Sequence, residues 1–188
     1  MSRVAIIILL FLSSGTLLAQ RKIIRVGAKH FNEGYILSEM IALILEDGGF
    51  VVERKFNLGG TAVAFEALHN KAIDVYPEYS GTILREILKV DHSLSTEEIN
   101  QKLKGMQLTI SQPYGFNNTY ALLIDSSASK KFAIRKITDL KSRPDLNIGL
   151  SYEFLEREDG WRNMSKVYDL SHKPVALEHG LAYQAILK

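Results

Sequence analysis

From Lys22 onward, short β-type runs alternate with segments whose apolar residues recur at helical spacing. Ile23-Ile24-Arg25-Val26 reads as a strand ending at Gly27. Tyr35 to Asp47 follows, with Ile36, Leu37, Met40, Ile41, Ile44 and Leu45 on the 3.6-residue period of an amphipathic helix that Gly48-Gly49 stops. Phe50 to Phe56 is β-branched and aromatic-rich, a second strand. Gly59-Gly60-Thr61 is a turn opening a helix that runs to Asn70, and Ile73 to Tyr76 is a third strand broken at Pro77. Ser95-Thr96-Glu97-Glu98 has capping-box spacing and predicts another helix start. Such alternation selects an α/β fold with mostly parallel sheets covered by helices.

A second unit is expected from Ser111-Gln112-Pro113. Tyr120 to Ile124 and Asn147 to Leu150 read as strands, Thr138-Asp139-Leu140 as a helix start, and Leu181 to Leu187 as a helix. Gly180-Leu181-Ala182-Tyr183-Gln184-Ala185-Ile186-Leu187-Lys188 echoes Gly60-Thr61-Ala62-Val63-Ala64-Phe65-Glu66-Ala67-Leu68, as corresponding helices of two similar lobes would. The earlier helix leads into the strand Ile73 to Tyr76, whereas Lys188 is the last residue given. The expectation is a second lobe that is incomplete in a truncated chain.

The first twenty residues set the compartment. Arg3 precedes the apolar run Val4 to Leu12, followed by Ser13-Ser14-Gly15-Thr16-Leu17-Leu18-Ala19, the layout of a secretory signal peptide with cleavage expected after Ala19. The apolar run is too short to span a bilayer, and a chain without cysteine carries no lipoprotein anchor. A periplasmic location is expected. The expected organisation is a signal peptide over 1–19, a first lobe over 20–110 and a partial second lobe over 111–188. With 46% hydrophobic and 23% charged residues, the 188-residue chain is neither a disordered tail nor a polytopic membrane protein. Its 23 basic and 21 acidic residues, a net charge of +2, are too balanced for phosphate neutralisation, so no nucleic-acid partner is expected.

Ligands of α/β sheets gather at strand C-termini and helix N-termini, where backbone N–H groups are free. Three segments stand at such points: Gly27-Ala28-Lys29-His30-Phe31-Asn32-Glu33, Asn57-Leu58-Gly59-Gly60-Thr61 and Tyr76-Pro77-Glu78-Tyr79-Ser80-Gly81-Thr82. They offer one ammonium, two hydroxyl-bearing helix starts and two tyrosines, which suits a small ligand with an anionic end and an apolar or cationic end. Each has a plainer reading too: Gly-Gly-Thr as a turn plus cap, Tyr76 and Tyr79 as edge packing, Glu33 as a helix cap, Asp74 and Glu78 as organisers of a turn or lobe contact. The five histidines lack a spacing such as H-E-x-x-H, so neither metal nor cofactor is assigned.

In this order, with Ala67-Leu68, Pro113-Tyr114-Gly115-Phe116-Asn117-Asn118-Thr119-Tyr120-Ala121-Leu122 and Phe154-Leu155-Glu156-Arg157-Glu158-Asp159-Gly160-Trp161, the segments resemble the osmoprotectant-binding proteins of ABC transporters. That is the glycine betaine/choline/carnitine-binding family, with a type II periplasmic-binding-protein fold. The resemblance runs from Ile24 to Lys188, some two-thirds of a usual member. It implies a non-enzymatic receptor that closes two lobes over a quaternary amine and delivers it to a membrane permease with its ATPase. It also implies site residues: Tyr79 and Tyr120 as box aromatics, Asn118 where the family often has an acid, and Lys29, Thr82 and Arg157 as the carboxylate-binding set. Two other functions stay open, an exported sensor or assembly module with the same fold and a carboxylate-based hydrolase. The hydrolase lacks a G-x-S-x-G nucleophile elbow.

Overall fold

A computed structural model describes residues 22–186; the expected signal peptide and Leu187, up to which the last helix is expected, lie outside the described residues. β1 (Ile23–Gly27) pairs in parallel with β2 (Val51–Lys55), from Ile23↔Val51 to Gly27↔Lys55, and α1 (Asn32–Asp47) makes the crossover. Gly34, Ser38 and Ala42, four residues apart, form the buried stripe of α1. Small side chains bring this helix close to β1, and Ser38 Oγ donates to the Gly27 carbonyl at 2.7 Å. The helix begins three residues before its periodicity predicts. Gly34 permits this, because a Cβ there would stand 2.9 Å from Phe31 Cε1.

The third strand expected at Ile73 to Tyr76 is reduced to a single parallel bridge, Val26↔Val75, on the other side of β1. The Arg25 N–H, which a strand carbonyl would otherwise take, donates instead to Asp74 Oδ2 at 2.8 Å. The Arg25 guanidinium grips the same carboxylate, Nε at 2.9 Å and Nη2 at 3.0 Å. Pro77 then supplies no N–H to continue a ladder. Asp74 thus organises a turn, as one sequence reading had it.

α2 (Thr61–His69) follows β2, and α3 (Ser80–Thr82) runs directly into a π-helical turn, Ile83–Ile87, in which the Leu88 N–H donates to the Ile83 carbonyl at 2.8 Å. Such turns are rare and collect at functional sites. Buried Ile83 and Leu84 pack on Ile99 and Leu103 of α4 (Thr96–Leu103). The predicted capping box opens α4: Ser95 Oγ accepts the Glu98 N–H at 3.2 Å and Glu98 Oε2 accepts the Ser95 N–H at 2.8 Å.

Farther along, α5 (Ser126–Phe132) is capped by Asp125, and Ile137–Ser142 forms a 3₁₀ helix where a helix start was expected. β3 (Gly149–Ser151) pairs in parallel with β4 (Val175–Leu177) across α6 (Tyr152–Glu156) and α7 (Trp161–Val167), and α8 (His179–Ala185) follows β4. β4 was not expected from the sequence, yet it explains the internal echo: α2 follows β2 as α8 follows β4. Ile134, Leu140, Leu150, Phe154, Trp161 and Leu170 make a second apolar cluster. Tyr120 to Ile124 is not a strand. Among the described residues no strand lies beside it to take its backbone groups, and β propensity without a partner does not make a sheet.

Candidate ligand-binding site

The ends of these elements surround an open cleft of about 1550 Å³, and all six residues singled out in the sequence line it. They fall into two groups. Lys29, Tyr79 and Asn118 form the first. Lys29, in the loop after β1, is only 4% exposed, and its Nζ donates to Glu78 Oε1 at 2.7 Å and Thr61 Oγ1 at 3.3 Å. The ammonium also stands 5.3 Å from the Tyr79 ring centroid and 5.5 Å from that of Phe31. Tyr79 donates its hydroxyl to Glu33 Oε1, which also accepts Asn118 Nδ2 at 3.0 Å. Burial, reinforced by the bond to Glu33, raises the Tyr79 pKa, so its proton stays in place. Glu33 lies in the first turn of α1 without capping it, which corrects the capping expectation.

Thr82, Tyr120 and Arg157 form the second group. The guanidinium of Arg157 is buried, donates from Nη1 to Thr82 Oγ1 at 3.3 Å, and lies 5.6 Å from the Tyr120 ring centroid. The Tyr120 ring packs against Phe154 at 4.6 Å between centroids. Partial burial, with Glu153 nearby, pushes the Tyr120 hydroxyl up to about 12. The loop after α6 shapes this group: Asp159 takes Arg157 Nε at 2.8 Å and Nη2 at 2.7 Å in a bidentate pair.

One bridge joins the groups. Thr61 Oγ1, at the start of α2, donates to Glu153 Oε1 of α6 at 2.6 Å, and that oxygen lies 3.9 Å from Arg157 Nη1. A continuous polar path therefore runs from Lys29 through Thr61 and Glu153 to Arg157. Both cations of the expected carboxylate-binding set hold a protein carboxylate, Glu78 for Lys29 and Asp159 for Arg157. Burial raises the pKa of Glu78, and Lys29 opposes that shift. A third contact closes the rim, where His30 Nε2 faces Glu178 Oε1 at 3.6 Å.

The balance of charge along the cleft is the reverse of that of the chain. Seven carboxylates and three Lys or Arg side chains line it, while the whole chain carries +2. An acidic, aromatic-walled cleft favours a cation, above all one that ring faces can hold. Thr61 lies in one of the segments singled out in the sequence, with a turn plus cap as its plainer reading, whereas Phe31, Glu153 and Asp159 were not singled out as site residues. Phe31 and Asp159 lay within quoted motifs, two residues from Lys29 and Arg157, and that adjacency was the available signal. Glu153 carried none, because only folding brings α6 to the start of α2.

Residues 22–187 match a family model described as the substrate binding domain of ABC-type glycine betaine transport systems. The chain is 32% identical to a carnitine transport binding protein of Listeria monocytogenes, covering 94% of this chain and 62% of that protein. It is 32% identical to an ergothioneine transport permease/ergothioneine binding protein of Helicobacter pylori, covering 89% of this chain and 32% of that one. A crystal structure of a glycine betaine/carnitine/choline ABC transporter protein aligns over 89% of this chain and 65% of its own length, at 25% identity and a TM-score of 0.56. The chain thus spans less than two-thirds of the length of these curated relatives. The α/β architecture with parallel strand pairs matches that structure over part of its length.

Proposed function

This chain belongs to the family of substrate-binding domains of ABC-type glycine betaine transport systems, and from that premise we propose that it is a receptor for a small quaternary amine. The family consists of transport-binding domains, not enzymes. In this reading, residues 20–110 and 111–188 act as two lobes that close over the ligand, and the loaded receptor docks on a membrane permease driven by its ATPase. It works outside the cytoplasm, in the periplasm, after removal of residues 1–19.

The observation that carries the reading is the combination of aromatic side chains and excess carboxylate lining one cleft. A trimethylammonium group has no N–H to donate, so it cannot replace its hydration by hydrogen bonds. A ring face holds it instead, at about 0.5–2 kcal/mol per face depending on desolvation. Tyr79 and Tyr120 supply such faces, and Phe31 stands beside Tyr79 at 6.2 Å between ring centroids. For a ligand that also bears a carboxylate, Arg157, Thr82 and Lys29 are the binding groups. The carboxylate then shares the two cations with Glu78 and Asp159, so its net gain is smaller than free cations would give. The three contacts across the cleft, Thr61 to Glu153, Thr82 to Arg157 and His30 to Glu178, support coupling of occupancy to closure.

Calorimetric titration with glycine betaine and glycine tests the proposal. The two share the carboxylate and differ in methylation. Betaine is expected to bind at least about tenfold more tightly, a difference of ~1.4 kcal/mol. Equal affinity, or no binding of betaine, carnitine or choline, sinks the reading.

A further inference from the structure

The sequence places a neutral amide, Asn118, where the resemblance leads one to expect an acid beside the ligand cation. The fold brings a carboxylate to the same spot from another element. Glu33 in the first turn of α1 lines the cleft, and its Oε1 accepts both the Tyr79 hydroxyl and Asn118 Nδ2. We propose that Glu33 is a specificity-determining residue, the counter-charge for the ligand's quaternary ammonium at the Tyr79 ring, with Asn118 orienting it. This rests on the reading of the cleft as a quaternary-amine site.

The geometry has three parts. Asn118 Nδ2 lies 3.0 Å from Glu33 Oε1 and 3.4 Å from Tyr79 Oη, so one amide fixes the carboxylate and the phenol together. The phenol stays protonated and donates, which leaves the negative charge on Glu33. That charge sits at the hydroxyl edge of a ring that already attracts the Lys29 ammonium, 5.3 Å from its centroid, and it adds to the attraction the ring quadrupole exerts on a ligand cation. The other six carboxylates that line the cleft each face a basic side chain, Glu78 with Lys29, Glu153 and Asp159 with Arg157, Glu86 with Lys89, Glu156 with Arg162 and Glu178 with His30, while Glu33 forms no ion pair among the described residues. Glu33 is therefore the lining carboxylate whose charge is left for the ligand to balance.

Relocating the charge separates this role from mere support of Tyr79. Tetramethylammonium serves as the probe, because it carries the ammonium and nothing else, and binding is read by calorimetry at low and high salt. Glu33→Gln keeps an oxygen that accepts from Tyr79 but removes the charge. It is expected to weaken tetramethylammonium binding about tenfold, the scale of one charge-assisted contact, and to flatten the salt dependence. Asn118→Asp added to Glu33→Gln restores one carboxylate beside the same hydroxyl and is expected to recover most of the loss. A Glu33→Gln protein that binds the probe as the parent does, with the same salt dependence, overturns the proposal. So does a double variant as weak as the single one, which assigns Glu33 to packing. If the unaltered protein binds neither tetramethylammonium nor choline, the receptor reading itself fails, and this inference with it.

Discussion

Adding one methyl group at Gly160 tests how the Arg157–Asp159 pair is held in place. A Cβ built on Gly160 falls 2.0 Å from the Phe154 carbonyl oxygen, 3.1 Å from its carbonyl carbon and 3.2 Å from Arg157 Cβ. Real Cβ contacts stay beyond 3.0 Å, so the loop and the end of α6 must part by about 1 Å. The obstacle is backbone, not a flexible side-chain tip, and no rotamer change relieves it. The upper part of the ~1–3 kcal/mol range for overpacking therefore applies to Gly160→Ala. For a chain of this size that lowers the melting temperature by roughly 4–12 °C, at about 2–4 °C per kcal/mol. The shift also passes into the site. Gly160 N–H donates to the Arg157 carbonyl at 3.1 Å and its own carbonyl accepts from Met164 at 3.0 Å, so the whole Arg157-to-Trp161 loop moves together. Urea unfolding and thermal melts followed by circular dichroism read the stability, and a betaine titration reads the site. An unchanged urea midpoint and melting temperature refute the steric reasoning.

Two further outcomes follow from the ion pairs. Arg157→Ala is expected to reduce glycine betaine affinity at least about tenfold, since hydrogen bonds to charged groups contribute ~1.5–3 kcal/mol each, while choline, which has no carboxylate, changes far less. Equal losses for the two ligands contradict the assignment of Arg157 to a carboxylate. Asp74→Asn tests the clasp on β1. The Arg25 hydrogen bonds hold the Asp74 carboxyl below its ordinary value of 3.8, so the pair stabilises the fold above that pH and the contribution is lost as pH falls below it. The variant is expected to be about 1 kcal/mol less stable at neutral pH, a figure limited by its partial exposure, with the gap closing toward pH 3 in urea titrations. A gap that stays constant across that range contradicts the assignment.

Much of the first half was legible because its signals are local. The 3.6-residue spacing of Ile36 through Leu45, the Gly48-Gly49 stop and the Ser95/Glu98 box report structure that neighbouring residues decide among themselves. Tyr120 to Ile124 failed for the opposite reason, since strand identity depends on a partner that the segment does not encode. Val75 shows the same limit in milder form. Ile73 and Val75 itself are β-branched, but the Asp74 carboxylate occupies the Arg25 N–H that a third strand needs. β4 escaped notice because Val175-Ala176-Leu177 is too short for alternation to register. In the cleft, the six residues chosen from motifs do converge, which spacing alone would not have required. What the motifs could not convey was their state of charge. That Lys29 is paired follows from Glu78 reaching it across 49 residues of sequence, a consequence of tertiary packing, whereas Asp159 takes Arg157 from two residues along the same loop. Glu33 was read as a cap because helix first turns favour acids, and only the approach of Tyr79 and Asn118 gives its carboxylate another task.

Saturation-transfer NMR tests directly whether a methylated ammonium sits against the Tyr79 ring in this cleft. Irradiating the aromatic protons of the protein in the presence of excess choline is expected to attenuate the N-methyl resonance more than the methylene resonances, because the methyl groups face the rings. Tyr79→Leu, which retains apolar bulk without a π face, is expected to abolish most of that transfer, and glycine betaine is expected to compete for it. No transfer to the methyl groups, or the same transfer in the Tyr79→Leu protein, contradicts the account.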